Sequence, residues 1–156
     1  VQLSVRNNIE LAVQSRLNRR TSIWRDLGGH GTLKRSTDEV LEWIGLEEER
    51  DLEAQKLSYG DQRKLEIGLA LATDPTLLML DEPTSGMSRF ESISMIDLIQ
   101  KLSERVTIIL IEHDIEFVMK VSDSITVIHY GEKIAEGTPE EIEQNDQVQQ
   151  VYLGGL

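Results

Sequence analysis

Residues 57–88 have the sequence LSYGDQRKLEIGLALATDPTLLMLDEPTSGMS and carry the clearest structural pattern in the chain. A serine that can cap a helix comes first, and the apolar spacing of an amphipathic helix follows it. An Asp-Pro pair ends that helix, and the apolar run LLML at residues 77–80 predicts a strand buried on both faces. Asp81 and Glu82 follow this strand directly. Carboxylates in that position lie at the sheet edge where α/β proteins bind their ligands.

A second apolar run, at residues 106–111, ends in the same way. Glu112, His113 and Asp114 follow it directly. Strand and helix patterns alternate from residue 76 to residue 130, which is typical of a parallel sheet with right-handed crossovers. We therefore predict an α/β fold in which acids and a histidine gather at one edge of the sheet.

Helical patterns fill the N-terminal part of the chain. Ser4 can cap a first helix, whose apolar side chains recur at helical spacing. The glycine-containing residues 19–34 predict an irregular connection. Ser36 and Glu39 form a capping-box pattern for a second helix, which Gly45 is expected to end.

Two further helices are predicted by capping boxes, in which a Ser or Thr cap is paired with a Glu three residues later. These pairs are Ser88 with Glu91 and Thr138 with Glu141. Between them, residues 125–136 predict a third strand that turns back as a hairpin. A chain of 156 residues can bury a real core. We divide it into a partial helical subdomain at 1–56, an α/β core at 57–137, and a C-terminal helix and tail at 138–156.

The net charge of -12 is unevenly distributed. Residues 1–37 carry seven Lys/Arg against two Asp/Glu, whereas the rest carries nine against 26. An acidic body argues against nucleic acid as the partner, because neutralising phosphates requires a basic face. The basic segment could face membrane headgroups or an acidic partner, although charge runs usually have no specific partner.

The chain has no cysteine, which excludes disulfides and thiolate metal sites and fits a reducing compartment. Its longest apolar runs, LLML and IILI, are far too short to span a bilayer. We therefore expect a cytoplasmic protein.

The polar residues at the predicted sheet edge suggest distinct chemical roles. Asp81 is suited to hold Mg²⁺ through water, and the adjacent Glu82 can activate a water molecule. The start of the helix at Ser58 and Gly60 can attract an anion such as phosphate. Each feature also has an ordinary structural interpretation: a solvated acid pair, a plain serine cap and, for His113, a hydrogen-bonded surface residue.

In combination these segments are much more specific. LSYGDQ, a helix, LLMLDEPTSG and then IEHD, in this order and spacing, resemble the ATP-binding cassette (ABC) ATPases. In that family they correspond to the signature motif, Walker B with the D-loop, and the switch histidine. LSYGDQR, EPTSGM, IEHDIEFV and EGTPEEI with a terminal YLGG resemble the ATP-binding subunits of branched-chain amino acid importers. Urea-type importers are near relatives.

The resemblance implies a role for each matching residue. Glu82 would be the general base, His113 would sense the γ-phosphate, and Asp81 would hold Mg²⁺ through water. Ser58 and Gly60 would contact the γ-phosphate of ATP bound to the opposing subunit. The nucleotide-binding signature segment comprises Ser58, Tyr59, Gly60, Asp61 and Gln62, and the D-loop segment comprises Ser85, Gly86, Met87 and Ser88.

Three positions depart from the family pattern. Tyr59 replaces the first signature glycine, Asp61 stands where a glutamine is usual, and Ser88 occupies the position of the D-loop aspartate. In addition, no G-x-x-x-x-G-K-[ST] motif (Walker A) occurs in the sequence. Residues 28–37 imitate it, but Leu33 stands where the glycine before the lysine must be, so the loop cannot wrap a phosphate.

The resemblance therefore implies a partial P-loop NTPase (ABC ATPase) fold, with a parallel sheet flanked by helices and preceded by an α-helical subdomain. The chain would begin inside that helical subdomain. In the family the Walker A strand lies between the strand leading to His113 and the strand at 125–130, so a gap is expected there.

In function, the resemblance implies the C-terminal portion of the ATP-hydrolysing subunit of an importer for branched-chain or other amino acids. ATP and Mg²⁺ would be its cofactors. Its partners would be a second ABC ATPase subunit in a homo- or heterodimer, membrane permease subunits and, indirectly, a solute-binding protein, with no nucleic acid. It would lie in the cytoplasm against the inner face of the cell membrane, and this portion by itself would be inactive. Two alternatives remain: a non-transport ABC ATPase, or a truncated paralogue that binds a partner's nucleotide site.

Overall fold

The computed structural model describes residues 3–20 and 29–153. Helices and short strands alternate over most of this part of the chain. The helices are α1 (Val5–Arg20), α2 (Gly29–Ile44), α3 (Tyr59–Leu71), α4 (Arg89–Ser103), α5 (Ile115–Val121), α6 (Pro139–Glu143) and α7 (Asp146–Val148). The strands are β1 (Leu77–Asp81), β2 (Thr107–Ile111), β3 (Ile125–His129) and β4 (Glu132–Gly137). A 3-10 turn at Ala54–Lys56 precedes α3, and a π-helical turn at Gln149–Leu153 follows α7.

The chain divides into two compact units, Val1–Ile111 and Glu112–Leu156. The first unit contains α1 to α4 with β1 and β2, and the second contains α5 to α7 with β3 and β4. The three-part division made from the sequence concerns subdomains of a family fold, and it stays a prediction. Among the described residues, no helix combines the length and apolar character that a membrane crossing requires.

Helix α1 begins where the sequence predicts. The N–H of Asn7 donates to the Ser4 hydroxyl at 3.2 Å, which caps the first turn. Val5, Ile9 and Val13, spaced four residues apart, are completely buried. This stripe faces the core of the first unit, where α1 contacts α2 and α3.

The start of α2 corrects one prediction. Ser36 lies inside the helix and does not cap it, so the predicted capping box is wrong. The Ser36 hydroxyl accepts from Arg16 Nη2 at 3.3 Å, and Glu39 accepts from Arg35 Nε at 3.0 Å. A tertiary contact from α1 therefore engages the serine that looked like a cap. Of the predicted irregular connection, residues 21–28 lie outside the described residues, and the described part on either side of them is helical.

Helix α3 packs closely against α1 and α2. A Cβ atom on Gly68 would lie 2.6 Å from Ile44 Cδ1 and 3.1 Å from Ile9 Cδ1. Both isoleucines are buried and cannot easily move aside. The close approach of these helices therefore requires glycine at this position. Gly45 ends α2 with a φ of +66°, as predicted.

Strands β1 and β2 pair in parallel, from Leu77 opposite Thr107 to Asp81 opposite Ile111. The parallel pairing confirms the sequence prediction, but the prediction that β1 is buried on both faces is wrong. Leu78 is 5% exposed, whereas the adjacent Met79 is 66% exposed. Successive side chains point to opposite faces of a strand, and the described residues of this unit bury only one face of this pair.

Strands β3 and β4 form the predicted hairpin in the second unit. Tyr130 and Gly131 connect them, with φ values of +49° and +83°, which is the backbone of a type I′ turn. Ile125, Ile142 and Val148 form the small core beneath the hairpin. Among the described residues, β1 pairs with β2 and β3 pairs with β4 in two separate sheets. The gap that the family resemblance implies between β2 and β3 stays a prediction.

Candidate functional site

The first turn of α3 carries the signature segment, and its cap is the one predicted. The Ser58 hydroxyl accepts from the Asp61 N–H at 3.1 Å and donates to Asp61 Oδ2 at 2.8 Å. Asp61 also accepts from Lys64 Nζ at 3.0 Å. Gln62 turns back, donating from Nε2 to the Leu57 carbonyl at 3.0 Å. Asp61 and Gln62 therefore stabilise the helix start in this structure.

Gly60 is buried, whereas Ser58 beside it is exposed. The Gly60 N–H donates to Oε1 of Glu91, at the start of α4, at 2.9 Å. The other oxygen, Oε2, accepts from the N–H of Ser88 at 2.9 Å and from its hydroxyl at 2.7 Å. One carboxylate therefore joins the signature segment to the last residue of the D-loop segment.

These hydrogen bonds favour the ionised form of Glu91. The bond from the Ser88 hydroxyl lowers the pKa of Glu91 most, followed by the bonds from the N–H groups of Ser88 and Gly60. The positive charge of Lys64 lowers it further, and partial desolvation opposes these effects.

Tyr59 makes the second contact between the two segments. Its ring lies over Gly86, where a Cβ atom would be 3.4 Å from Cε1 of the tyrosine. Arg63, one turn further along α3, donates from Nη2 to the phenol oxygen at 2.9 Å, and its guanidinium carbon lies 5.3 Å from the ring centroid. Hydrogen bonds to Glu66 and Tyr59 raise the pKa of Arg63. The tyrosine that departs from the family's glycine is thus 44% exposed, contacts Gly86 and is anchored by Arg63.

The end of β1 and the start of the following loop expose the two predicted acids to solvent. Asp81 ends the strand, and both Asp81 and Glu82 are exposed. Glu82 has a φ of +45°, and its N–H donates to the Ile111 carbonyl at 2.8 Å. A left-handed backbone at a residue other than glycine costs on the order of 1–2 kcal/mol and is more frequent at functional sites. The N–H of Ser85 returns to the Glu82 carbonyl at 3.1 Å, which starts the turn into the D-loop segment.

The D-loop segment continues into α4. The N–H of Met87 donates to the Thr84 carbonyl at 3.0 Å, and Gly86 has a φ of +78°. Ser88 caps α4 and forms the predicted capping box with Glu91. Hydrogen bonds at both ends therefore restrain the backbone of this loop.

His113 lies in the second unit, directly after β2. Its side chain is 73% exposed, whereas the side chain of Glu112 is completely buried. The His113 N–H donates to Glu112 Oε2 at 3.0 Å, and its ring Nδ1 lies 3.6 Å from the same oxygen. Asp114 caps α5 by accepting from the Phe117 N–H at 3.1 Å. His113 is thus an exposed imidazole between a buried carboxylate and a helix cap.

A metal ion would need ligands beyond the side chains of this site. In the described part of the chain, no group of three His, Asp or Glu side chains could hold one. Asp81 as a single exposed carboxylate fits Mg²⁺, which keeps several waters and takes phosphate oxygens as further ligands.

Comparison with known proteins identifies the family. Residues 2–85, more than half of the chain, match the family model described as ABC transporter. The chain belongs to the ABC transporter family. Residues 132–155 match a second model, described as Branched-chain amino acid ATP-binding cassette transporter. The N-terminal and C-terminal parts of the chain thus lead independently to ABC transporters.

Pairwise comparison with individual ABC proteins supports the same family. The chain is 47% identical over 116 residues to the high-affinity branched-chain amino acid transport ATP-binding protein LivG of Salmonella typhimurium, covering 73% of this chain and 46% of LivG. It is 46% identical over 116 residues to BraF of Pseudomonas aeruginosa, which has the corresponding name, with the same coverage. The chain therefore spans about half the length of the curated relatives it matches.

A solved ABC structure supports the fold. CbiO1 from Clostridium perfringens, part of the ABC transporter complex cbiONQ, superposes with a TM-score of 0.79 at 24% identity, covering all of this chain and 59% of CbiO1. The predicted fold class, a partial ABC ATPase fold of the P-loop NTPase type, is thereby confirmed.

Two residues of the candidate site were not predicted from the sequence as site residues. Glu91 was visible only as the partner of Ser88 in a capping box, and its contact with Gly60 spans 31 positions. Arg63 follows Tyr59 by four residues on the predicted helix, and this i,i+4 spacing was the signal that could have indicated the contact.

Proposed function

We propose that this chain is part of the ATP-hydrolysing subunit of an importer for branched-chain amino acids. The observation that carries the proposal is the 47% identity to LivG over 116 residues, a stretch long enough to include most of the candidate site. The match of residues 132–155 to the branched-chain family model supports the same class of solute. In this role the subunit lies in the cytoplasm against the inner face of the membrane and works with permease subunits.

The residues have complementary roles in this proposal. Ser58 and Gly60 begin a helix whose N-terminal dipole favours a γ-phosphate held by a second ATPase subunit. Glu82 accepts the proton of the water that attacks the γ-phosphorus, and the bond to the leaving ADP oxygen breaks as the new bond forms. Asp81 would hold Mg²⁺ through water, and the bound ion would neutralise phosphate charge. His113 hydrogen-bonds the transferring phosphoryl group.

The exposure and backbone of these residues support the roles. Asp81 and Glu82 are exposed at the carboxyl end of a parallel strand, the usual ligand-binding edge. Glu82 has a left-handed φ. The two adjacent acids at the end of the strand offer one carboxylate for each of the two proposed roles.

Replacing Glu82 in the complete protein tests the catalytic part. We expect Glu82→Gln to lower kcat for ATP by at least roughly 100-fold, which is within the range for removing a general base, while leaving ATP binding intact. The matched control is Glu104→Gln, which changes an exposed carboxylate at the end of α4. Both variants are assayed for phosphate release and for uptake of labelled leucine into vesicles that carry the permease subunits. Wild-type turnover in the Gln variant would refute the assigned base.

We also infer that the 156-residue chain by itself does not hydrolyse ATP. Its sequence has no G-x-x-x-x-G-K-[ST] loop to wrap the phosphates with consecutive N–H groups. It would complete a site only with a second cassette that supplies this loop. Nucleotide binding that requires an added intact cassette supports this view, and turnover by the chain in isolation contradicts it.

A further inference from the structure

The geometry points to Glu91 as a positioning residue that holds the signature segment and the D-loop segment in one fixed arrangement. The inference rests on the proposed function, because these two segments are the ones expected to meet the nucleotide of the opposing subunit. Glu91 itself touches neither nucleotide nor water in this assignment. It acts through the backbone of Gly60 and through Ser88.

Both oxygens of the Glu91 carboxylate are used, and each is used on a different segment. Oε1 accepts from the Gly60 N–H at 2.9 Å, and Oε2 accepts from the N–H and hydroxyl of Ser88 at 2.9 and 2.7 Å. Hydrogen bonds to an ionised carboxylate are shorter and stronger than neutral ones. The bridge therefore restrains the two helix starts relative to each other in distance and in direction.

The shape of α3 is adapted to this bridge. A Cβ atom on Gly60 would lie 2.9 Å from Glu91 Cγ and 3.0 Å from its Oε1. The absence of a side chain at this position is what allows the glutamate to approach the backbone. A glycine here thus has an intrachain reason in addition to any approach of a phosphate.

A second contact joins the same two segments independently. The ring of Tyr59 lies over the backbone of Gly86, and Arg63 fixes that ring through its phenol oxygen at 2.9 Å. The hydrogen bonds of Glu91 and the ring contact of Tyr59 therefore connect adjacent residues of α3 to the two ends of the 86–88 turn. Two links resist rotation as well as separation.

Capping of α4 does not account for the bridge. Glu141 forms a capping box at α6: its Oε2 accepts from the Thr138 N–H at 2.9 Å, and its own N–H donates to the Thr138 hydroxyl at 3.3 Å. Glu91 completes the capping box of α4 in the same way, and its Oε1 additionally accepts from the Gly60 N–H in α3. The chain thus provides a pair of capping glutamates, of which, in the described part of the chain, only Glu91 accepts from the N–H of a residue in another helix and from the hydroxyl of its own cap.

The expected kinetic consequence follows from the demands of positioning. A misplacement of about 1 Å at a reacting centre can cost on the order of 100-fold in rate. Weakening one of the two contacts between the segments should reduce the rate by less than this. We expect Glu91→Gln to lower kcat roughly tenfold while the KM for ATP stays within about twofold. Glutamine retains one acceptor oxygen and replaces the other with a donor, so it cannot accept from both segments.

The experiment compares Glu91→Gln with Glu141→Gln in the complete protein. Both variants lose a capping-box carboxylate, so a purely structural role predicts similar losses of Tm and unchanged kcat for both. The inference predicts the tenfold loss of kcat for Glu91→Gln only. It also predicts that the amide proton resonance of Gly60 shifts in Glu91→Gln and stays in place in Glu141→Gln. An unchanged kcat in a folded Glu91→Gln variant, or an unchanged Gly60 resonance, overturns it.

Glu91→Asp keeps the test decisive if the Gln variant does not fold. Aspartate retains the charge on a side chain one methylene shorter, so we expect an intermediate kcat and a smaller shift of the Gly60 resonance. Wild-type values for both, in folded protein, overturn the inference. If the wild-type protein lacks ATPase activity, the proposed function fails, while the Gly60 resonance still reports whether the bridge exists.

Discussion

Glu82 combines an expected chemical role with an unfavourable backbone. Its φ of +45° lies in the left-handed region, where a Cβ atom crowds the following carbonyl. The residue is exposed, so packing of its side chain does not explain the conformation. Such strain commonly occurs at functional positions, where the geometry of the site matters more than local stability.

The strain can be measured by comparing two variants that both lack the carboxylate. We expect Glu82→Gly to have a free energy of unfolding about 1 kcal/mol higher than Glu82→Ala, because only glycine adopts this φ without crowding. Urea unfolding of both variants measures the difference, and the lost carboxylate contacts cancel between them. Equal stability, or a more stable alanine variant, would show that the position is unstrained. Both variants should be inactive.

Helix starts are the elements that the sequence predicted best. Ser58, Ser88 and Thr138 each cap the predicted helix, because a cap is a contact between residues three apart. The same local pattern predicted a cap wrongly at Ser36, whose hydroxyl accepts a hydrogen bond from Arg16 of another helix. Burial of β1 on both faces was also mispredicted, since exposure depends on which elements cover the sheet.

Packing between helices gives a second stability prediction. Gly68→Ala should lower the free energy of unfolding by about 1 kcal/mol, because the overpacking against Ile44 and Ile9 exceeds the gain in helix propensity. Gly31→Ala is the control, since a Cβ there meets nothing within 4 Å. That variant should be unchanged or stabilised by up to about 1 kcal/mol. Stabilisation of Gly68→Ala would contradict the tight contact of α3 with α1 and α2.

The molecule as a whole should lose stability in acid through carboxylates in both units. Hydrogen bonds from Ser88 and Gly60 lower the pKa of Glu91 below its usual 4.5, and the bond from Lys133 does the same for Glu136. A lowered pKa means that the unfolded chain takes up the proton first as the pH falls. Each carboxylate therefore makes its full contribution to the free energy of unfolding above about pH 4.5. That contribution is lost as the pH falls through the folded-state pKa.

The double variant Glu91→Gln with Glu136→Gln tests this prediction. At neutral pH the wild type should be the more stable protein, and the difference in free energy of unfolding should shrink as the pH falls below 4.5. Glutamine does not ionise, whereas the two glutamates become protonated and lose the bonds that favoured their charge. Urea titrations across the acid range measure the difference. A constant difference across that range would exclude these two groups as contributors.

The sequence by itself determined the family, the order of elements, the caps at Ser58, Ser88 and Thr138, and the parallel pairing of β1 with β2. These features follow from motifs and from contacts between residues close in the chain, which do not depend on how distant parts meet. Only the tertiary structure decided that Glu91 bridges Gly60 to Ser88, that Tyr59 covers Gly86 and that Arg16 takes Ser36. Apart from the local bond between Glu91 and Ser88, those contacts join residues that lie about 20 to 30 positions apart in the sequence. Their geometry exists only once the helices and the loop after β1 have packed together.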